Sequence, residues 1–450
     1  MSSDIIKIKR GLDIKLAGQA EKKIHEALSI EEYALKPTDF RGVRPRLLVK
    51  EGDSVKAGTP LFYSKDNEQI MFSSPVSGTV IEVLRGEKRV LLEIKIKKDE
   101  TQEYIDFGSA DPKNLSREEV LEKMLKSGVW PLIRQRPYAI MANPIDQPKA
   151  IFISAFDSAP LAPDKNFIVQ GYKEDFQAGI HALSKLTNGK IHLNIREGEA
   201  VSDVFTGATG VQINRFKGPH PAGNVGVQIH HIDPINKGEK VWYCYPEDVI
   251  IIGRLFLKGI YQPEKIIALT GSEIKEPAYY RIISGAKVEN LLKNNLLSDQ
   301  VRVISGNILT GTKIYPKGFI GFYDSQITVI PEGNYYEMFG WLSPGFKKFS
   351  FSRTFLNFFN RKNLKLDTNL HGGERPFIVT GQYEKVFPFD IYPVYLLKAC
   401  LTENIDKMEQ LGIYEVAPED FALCEVVCTS KINSQDIIQK GIDLMIKEMS

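Results

Sequence analysis

Apolar and polar residues alternate along two consecutive stretches near the start of the chain, residues 44–62 and 70–96. A repeat of two is the period of a β-strand, because successive side chains point to opposite faces of a sheet. Glycine-centred turns interrupt both stretches, for example at Gly52 and Gly78. The pattern therefore predicts a small β-sandwich within residues 1–104.

The spacing of these turns is similar to that of biotinyl and lipoyl carrier domains, which raises the possibility of a swinging prosthetic arm. Such an arm needs a modifiable lysine at the tip of the hairpin between the two halves. Lys65 lies there in the sequence SKDNEQ, without the Met-Lys-Met or Asp-Lys-Ala context that a modifying ligase reads. We therefore interpret the sandwich as a docking block, and a carrier role of Lys65 is the alternative.

Residues 105–262 change to alternating helical and extended patterns. Ser116 and Glu119 have the spacing of a capping box at the start of a helix. The expected helices cover residues 116–132, 173–186 and 248–261, and the expected strands cover residues 149–155 and 191–195. Strands that alternate with helices predict a mostly parallel sheet, so this part is expected to be a Rossmann-like α/β domain.

A nucleotide-binding loop is not evident in this α/β region. The segment Phe156–Asp164, FDSAPLAPD, follows the first predicted strand and contains two prolines and no glycine. Phosphate-cradling loops need glycines, because backbone N–H groups must approach the phosphate closely, and proline offers no N–H group. No G-x-G-x-x-G or Walker A sequence occurs in the chain. We therefore expect neither a dinucleotide nor a flavin at this loop.

The remaining sequence predicts two more units and completes an α+β multidomain chain. Residues 263–331 form short strands among turns, at 265–270, 301–304 and 318–330, with one helix at 288–294. This arrangement is similar to a β-grasp module. Residues 332–450 mix loops with helices at 390–401 and 434–449, which predicts a C-terminal mixed or helical domain.

Composition excludes several classes of protein. The 450 residues carry a net charge of only +2, with no basic stripe of the kind that binds nucleic acid. The most apolar stretch, Val249–Ile260, is too short and too charged to span a bilayer, and no signal peptide is evident. Four cysteines are too few for a disulfide framework and indicate a reducing compartment.

Metal and cluster sites are not expected either. His220, His230 and His231 lie in and after the glycine-rich motif GPHPAGNVG. If this region is a turn that leads into a strand, the two adjacent histidines point to opposite faces and cannot share a metal. Cys424 and Cys428 are only two thiols with C-x-x-x-C spacing, which suits buried side chains better than an iron–sulfur cluster.

An aromatic and basic stretch at residues 341–362 is the candidate docking surface. It holds seven aromatic residues interleaved with lysine and arginine. The phenylalanines have the spacing of one helical face, and the bases would form its rim. The candidate residues are Phe351, Phe355, Phe358, Phe359, Lys347, Lys348 and Arg361. Packing within the C-terminal domain and docking against a membrane-bound partner are both open interpretations of this stretch.

The order of several long motifs resembles that of the A subunit of the sodium-translocating NADH:quinone oxidoreductases. The resemblance runs from about residue 6 to residue 449, and its most specific motifs are GPHPAGNVG, HGGERPF and GQYEKVFPFDI. It implies a barrel-sandwich hybrid, a Rossmann-like domain, an SLBB-type β-grasp module and a C-terminal domain. Related subunits of Rnf complexes and respiratory complex I carry glycine-rich loops and cysteine clusters that this sequence lacks.

The resemblance implies a peripheral subunit on the cytoplasmic face of the bacterial inner membrane. It joins five other subunits in a translocase that oxidises NADH, reduces quinone and exports Na⁺. FAD, FMN, riboflavin and Fe–S groups are expected in the partner subunits and none in this chain, so the isolated chain is expected to be inactive. Quinone association is implied without any motif that assigns it to residues. A cofactor-free adaptor of an Rnf-type complex is the alternative.

Overall fold

The computed structural model describes residues 5–26, 30–340, 342–346, 348–356 and 363–449. The first two strands, β1 (Ile5–Lys7) and β2 (Glu21–Glu26), precede the sandwich and pair with strands far along the chain. Between them, residues such as Ile8 and Leu16 are buried against the C-terminal part of the chain. The N-terminal segment therefore ties together parts of the molecule that are distant in sequence.

The N-terminal domain is the predicted sandwich. Its strands are β3 (Glu32–Leu35), β4 (Pro45–Leu47), β5 (Ser54–Val55), β6 (Pro60–Ser64), β7 (Asn67–Ser73), β8 (Gly78–Arg85) and β9 (Leu91–Lys98). They form one sheet in the order β3-β9-β8-β5 and a second in the order β4-β6-β7. The inward residues Phe62 and Phe72 stack with their ring centroids 4.4 Å apart, which fills the space between the sheets.

The second domain is built on a mostly parallel sheet, as predicted. Its strands are β10 (Arg134–Arg136), β11 (Ile140–Met141), β12 (Ala150–Ser154), β13 (Lys190–Arg196), β14 (Gln212–Lys217) and β15 (Val241–Cys244). Its helices are α1 (Arg117–Ser127), α2 (Lys165–Ile168), α3 (Lys173–Ser184), α4 (Asp203–Thr206), α5 (Val225–Ile232) and α6 (Pro246–Lys258). The strand order is β1-β14-β13-β12-β15-β10-β11, and β15, β10 and β11 pair antiparallel.

Helix α1 begins where the sequence predicted. The main-chain N–H of Glu119 donates to Ser116 Oγ at 3.2 Å, and the N–H of Ser116 donates to the Glu119 carboxylate at 2.7 Å. This is the expected capping box. The helix ends before Gly128, which adopts a left-handed conformation, so it is shorter than the predicted 116–132.

The third domain is a six-stranded sheet with one short helix. Its elements are β16 (Glu264–Thr270), β17 (Ala278–Ile283), α7 (Glu289–Leu292), β18 (Val301–Ser305), β19 (Thr312–Ile314) and β20 (Gln326–Pro331). The order is β19-β18-β20-β16-β17-β2, so β2 supplies the outer strand. The predicted strand over residues 318–330 is wrong in its first half, because Ser305 Oγ and Asp324 hold residues 321–324 in a turn through side-chain bonds.

The C-terminal domain packs helices onto the amino-terminal segment and the α/β domain. The helices are α8 (Pro393–Leu401), α9 (Ile405–Gln410), α10 (Ala422–Val427) and α11 (Ser434–Met449). The core of this domain includes Phe387, Leu397 and Ile438, and it continues into Ile8 and Phe216 of the sheet edge. The last helix has the bounds that the apolar periodicity predicted.

Candidate functional site

The carboxyl edge of the parallel sheet holds a polar cavity. From β12 the chain passes to β13 on one side, and β15 lies on the other side, so the direction of winding reverses between β12 and β15. Open α/β sheets leave a crevice at such a reversal, and ligands bind there. A cavity of about 450 Å³ lies at this point, between Asp157 after β12 and Tyr245 after β15, and the third and C-terminal domains close it.

One guanidinium group in this cavity lies among three aromatic rings. The Cζ atom of Arg134 is 4.4 Å from the ring centroid of Tyr323, 4.8 Å from that of Tyr243 and 5.2 Å from that of Tyr245. Its Nε atom is buried without a hydrogen-bond partner in the described part of the chain. Among the residues that the structure describes, no carboxylate forms an ion pair with Arg134. The aromatic faces thus provide the electrostatic stabilisation of this cation.

Two buried acidic side chains near the cavity have raised pKa values, and a third, Glu247, is paired with a lysine. Burial raises the pKa of Asp157, and burial followed by the charge of Glu247 raises the pKa of Asp248 to about 6. Lys165 bonds to Glu247 and also donates to Ser325 Oγ at 3.2 Å. These contacts join the second domain to the third beside the cavity, and Glu247 is paired with Lys165 rather than with Arg134.

Ser158 and His220 form a pair beside the cavity. Ser158 Oγ lies 3.0 Å from His220 Nδ1 and also accepts a hydrogen bond from the N–H of Gly223 at 2.8 Å. Burial lowers the pKa of His220 to about 4, so its ring is neutral at pH 7. Asp13 accepts from the main-chain N–H of His220 and not from the ring. Within the described residues the pair lacks the third group that orients a catalytic histidine, and it closes a turn.

The glycines of the motif GPHPAGNVG allow three other segments of the chain to pack closely against its backbone. A Cβ atom on Gly218 would lie 2.4 Å from the carbonyl oxygen of Ile8, and one on Gly223 would lie 2.5 Å from the nitrogen of Ser158. A Cβ on Gly226 would lie 2.8 Å from the Asp420 carboxylate. The motif therefore needs glycine because three parts of the chain approach its backbone, which accounts for its composition without a phosphate.

The strand predicted after this motif is wrong, because residues 225–232 form helix α5. In the helix, the ring centroids of His230 and His231 are 5.2 Å apart, and both ring nitrogens of His230 have protein partners. Its Nδ1 is 2.6 Å from Glu415, and its Nε2 accepts from the N–H of Asp390 at 3.2 Å. No three metal-binding side chains come together within the described residues.

The loop predicted to lack a phosphate site uses its backbone for internal bonds. The N–H of Ala159 donates to Asp157 at 2.8 Å, and that of Ala162 donates to the carbonyl of Ala159 at 3.1 Å. The carbonyl of Pro160 accepts from Gln326 of β20 at 3.3 Å. This loop therefore joins the second domain to the third.

The sulfur and lysine candidates lie in ordinary structural surroundings. Cys424 and Cys428 are buried free thiols, and burial raises the pKa of Cys424 well above its usual value. Lys65 lies at the exposed turn between β6 and β7, as the hairpin prediction required. Its main-chain N–H donates to the carbonyl of Arg44 at 2.8 Å.

The structure describes part of the candidate docking stretch. Phe358, Phe359, Lys347 and Arg361 lie outside the described residues. Phe351 is half-buried against the C-terminal core, and Phe355 is half-buried beside a cavity of about 290 Å³ that Leu12 and Leu364 also line. Lys348 lies 5.5 Å from the ring centroid of Phe355 and donates to the carbonyl of Gly340 at 2.8 Å.

Residues 348–356 form turns, so the helical face inferred from their spacing is wrong for this part. Two local features prevent a helix. Arg353 has a φ of 59°, and Ser350 Oγ accepts from the N–H of Phe355 at 3.4 Å. Serine and threonine side chains that bond nearby N–H groups compete with helical hydrogen bonds.

A set of exposed apolar side chains at the start of this stretch and just before it was not singled out from the sequence. All are at least 60% exposed, and we call them the apolar loop: Tyr336, Met338, Phe339, Leu342 and Phe346. The available signal was the density of aromatic residues among glycines and a proline, which disfavours a long helix or strand. Exposed apolar side chains in such number mark an interaction surface.

Comparison with known proteins shows the family. Three family models match: the NqrA N-terminal barrel-sandwich hybrid domain over residues 6–99, the NqrA second alpha/beta domain over 115–261 and the NQRA C-terminal domain over 266–315. The A subunit of the Na⁺-translocating NADH-quinone reductase of Yersinia pestis is 40% identical over 95% of this chain and 96% of its own length. The chain belongs to the NqrA family, the A subunits of the Na⁺-translocating NADH-quinone reductases.

Other members of the NqrA family match over nearly the full length. The protein from Actinobacillus pleuropneumoniae is 37% identical over 99% of this chain, and that from Neisseria meningitidis is 39% identical over 99%. An NAD⁺-reducing [NiFe]-hydrogenase structure aligns with a TM-score of 0.38 and 12% identity over 75% of this chain and 61% of its own. In the part of the chain described, no helix has the length and apolar character needed to cross a membrane.

Proposed function

We propose that this chain is the peripheral, cytoplasmic-side subunit of a complex that oxidises NADH, reduces quinone and exports Na⁺. It joins five other subunits, which hold the flavins and the Fe–S group, and it brings no redox group of its own. The observation that carries this proposal is the match over nearly the whole length to subunits named for that reductase. The three matching NqrA family models, which together span residues 6–315, also support membership of such a complex.

Three features support a role without a bound redox group. The loop after β12 offers two prolines and internally bonded N–H groups where a phosphate would need free donors. The space beside the glycines of the GPHPAGNVG motif is filled by neighbouring backbone and side chains. Cys424 is buried with a raised pKa, whereas a cluster ligand must be a thiolate.

The assembly role has a direct test. The purified chain should show neither flavin nor Fe–S absorbance, and its intact mass should equal that of the plain sequence, allowing for removal of Met1. Added to membranes that contain the other subunits but lack this one, it should restore NADH-driven quinone reduction and Na⁺ export. Normal activity of membranes without the chain would contradict the proposal, and a lipoyl or biotinyl increment on Lys65 would favour the carrier alternative.

We further propose that the apolar loop and the adjoining Lys347–Arg361 stretch dock onto the membrane-bound partners. The exposed rings of Tyr336 and Phe346 contact little of the described chain, so their burial against a partner contributes about 1.5–3 kcal/mol each. Lys348 lies beside this surface, but its side chain is only 11% exposed and pairs with Glu337. On the basis of the sequence alone, we include four more residues in this proposed docking surface: Phe358, Phe359, Lys347 and Arg361.

Substitutions in this loop separate docking from core packing. Tyr336→Asp with Phe346→Asp should leave the melting temperature of the isolated chain unchanged and reduce its retention by the membrane subunits at least tenfold. Phe351→Asp should instead lower the melting temperature, because its half-buried ring faces the core. Tyr315→Asp is the matched control, since Tyr315 is 82% exposed on the third domain. Undiminished retention of the double variant would rule out this surface.

A further inference from the structure

A basic groove crosses the N-terminal sandwich, between β4 and the turn that joins β8 to β9. Its volume is about 760 Å³, and its floor is apolar, with Phe40, Leu47 and Leu91. Six basic residues line it: Arg41, Arg44, Arg46, Lys65, Arg85 and Arg89. None of the described residues that line this groove is acidic.

Most of these cations have no counter-ion within the described chain. Arg41 pairs with Asp443, and Arg44 pairs with Asp66. For Arg46, Lys65, Arg85 and Arg89 the described residues provide no ion pair, and all four side chains are exposed. Like charges concentrated over an apolar floor repel one another, so an anionic occupant would be attracted from solution. The charge of the groove thus specifies an acidic partner.

The backbone along the groove offers a second, independent feature. Strand β4 is the outer strand of the sheet β4-β6-β7 and, within the described residues, pairs only with β6. The N–H of Leu48 donates to Leu61 at 2.9 Å, and the carbonyl of Arg44 accepts from Lys65 at 2.8 Å, so both face β6. Because these groups alternate along a strand, the carbonyl of Pro45 and the N–H of Leu47 face away from β6. An outer strand with free groups accepts an added strand.

We propose that this groove binds an extended, acidic segment of a partner subunit, which adds a strand beside β4 and places its carboxylates against Arg46, Lys65 and Arg89. This inference rests on the proposed function, because it assumes a multi-subunit assembly. A concave groove with an apolar floor fits a chain whose side chains alternate between acidic and apolar. A bilayer is flat and would reach only the rim residues, such as Leu48 and Val90, which are 49% and 53% exposed.

Charge reversal in the assembled complex tests the electrostatic part. The triple variant Arg46→Glu, Lys65→Glu and Arg89→Glu should keep its melting temperature and be lost at least tenfold more readily when the immobilised complex is washed with salt. The control reverses three exposed lysines outside the groove, Lys50, Lys97 and Lys217, with the same change in net charge. Equal retention of the triple variant and the wild type would overturn the proposal. Failure of the wild type itself to assemble would instead overturn the proposed function.

Cross-linking identifies the occupant without disturbing the charges. A photoreactive p-benzoylphenylalanine at Leu48, in the otherwise intact complex, should capture one peptide of a partner subunit that is rich in Asp and Glu. A peptide without acidic residues, lipid alone or no product would contradict the proposal. Vesicles of phosphatidylglycerol provide the remaining comparison. The isolated chain could bind these vesicles, lose this binding in the triple variant, and give no protein cross-link. That combination of results would assign the groove to the membrane instead.

Discussion

At the residue scale, a buried ion pair joins the second domain to the C-terminal domain. The side chains of Arg136 and Asp420 are both 0% exposed and 3.1 Å apart, and Glu419 lies 2.7 Å from the same guanidinium. Burial raises the pKa of Asp420 to about 6, although Arg136 opposes this shift. No local sequence pattern around Arg136 indicates a partner 284 residues away.

Removal of one member of this pair should be costly. Asp420→Ala should lower the free energy of unfolding by about 3–5 kcal/mol, because a guanidinium stays buried with less compensation. Asp436→Ala breaks the exposed pair with Lys440 and should cost at most about 1 kcal/mol. Urea unfolding followed by circular dichroism measures both. A loss below about 1 kcal/mol for Asp420→Ala would mean that the pair does not hold the two domains.

A buried histidine makes stability depend on pH. Burial lowers the pKa of His192 to about 4 from the usual 6.5, and its ring stacks 4.6 Å from Phe152. Between pH 6.5 and about 4 the unfolded chain binds this proton and the folded chain does not. The contribution of His192 to stability is therefore present above pH 6.5 and is lost as the pH falls, by up to about 1.4 kcal/mol per pH unit.

The pKa values of Asp248 and Asp420 are raised, so their contributions to stability change with pH in the opposite sense to that of His192. The effect of His192 is therefore measured as a difference between variants. Compared with the wild type, His192→Gln should lose less stability when the pH is lowered from about 6.5 to about 4.5. His25→Gln, at an exposed ring on β2, is the control for replacing a histidine by glutamine. Identical pH profiles for His192→Gln and the wild type would show that the ring is not kept neutral. Urea midpoints over this pH range supply the comparison.

At the scale of elements, helices α3 and α6 cross at two glycines. A Cβ atom on Gly253 would lie 1.7 Å from the carbonyl oxygen of Asp175, and one on Gly179 would lie 2.1 Å from that of Val249. Sequence periodicity predicted both helices but did not explain why they contain glycine at these positions. The structure shows that glycine at these two positions lets the backbones of the two helices approach directly.

Alanine at the crossing tests this contact. In a free helix Gly253→Ala would stabilise by about 1 kcal/mol. Here the clash is with backbone, which cannot rotate away, so overpacking should outweigh propensity and leave a net loss of about 1–3 kcal/mol. Leu257→Ala on the same helix removes a side chain that is 42% exposed and is expected to cost less. A Gly253→Ala protein that melts above the wild type would contradict the close crossing.

At the scale of the whole molecule, residues 5–26 bridge three domains. β1 extends the parallel sheet beside β14, and β2 extends the third domain beside β17. Ile8, Ile14 and Leu16 are buried in the core of the C-terminal domain. The division at residues 104, 262 and 331 remains our proposal for the domain boundaries, with this segment shared among the units.

Truncation of one of these side chains should therefore destabilise the distant domain. Ile8→Ala should cost about 2–5 kcal/mol, since Ile8 is only 4% exposed. Ile24→Ala, at a position 39% exposed on β2, is the control and should cost less. Hydrogen exchange should show lost protection in α10 and α11 for Ile8→Ala. Lost protection confined to the sandwich would contradict the bridging role.

Sequence alone determined the features that depend on neighbours along the chain. The strands of the sandwich, the capping box at Ser116 and the helix Ser434–Met449 follow from local periodicity and local side-chain bonds. The mostly parallel sheet followed in the same way, from alternation of strand and helix. The long motifs also identified the family, because they persist over the whole chain and do not depend on any contact.

Only the tertiary structure decided features that depend on residues far apart in sequence. β1 and β2 are short and take their partners from β14 and β17, so no local pattern assigned them. The glycines before α5 suggested a turn into a strand, whereas contacts with Ile8, Ser158 and Asp420 require them and the chain continues as a helix. The Arg134 cavity and the basic groove likewise arise where separate segments meet. Periodicity along the sequence indicates which face of a helix or strand is apolar, and tertiary packing determines which residues that face contacts.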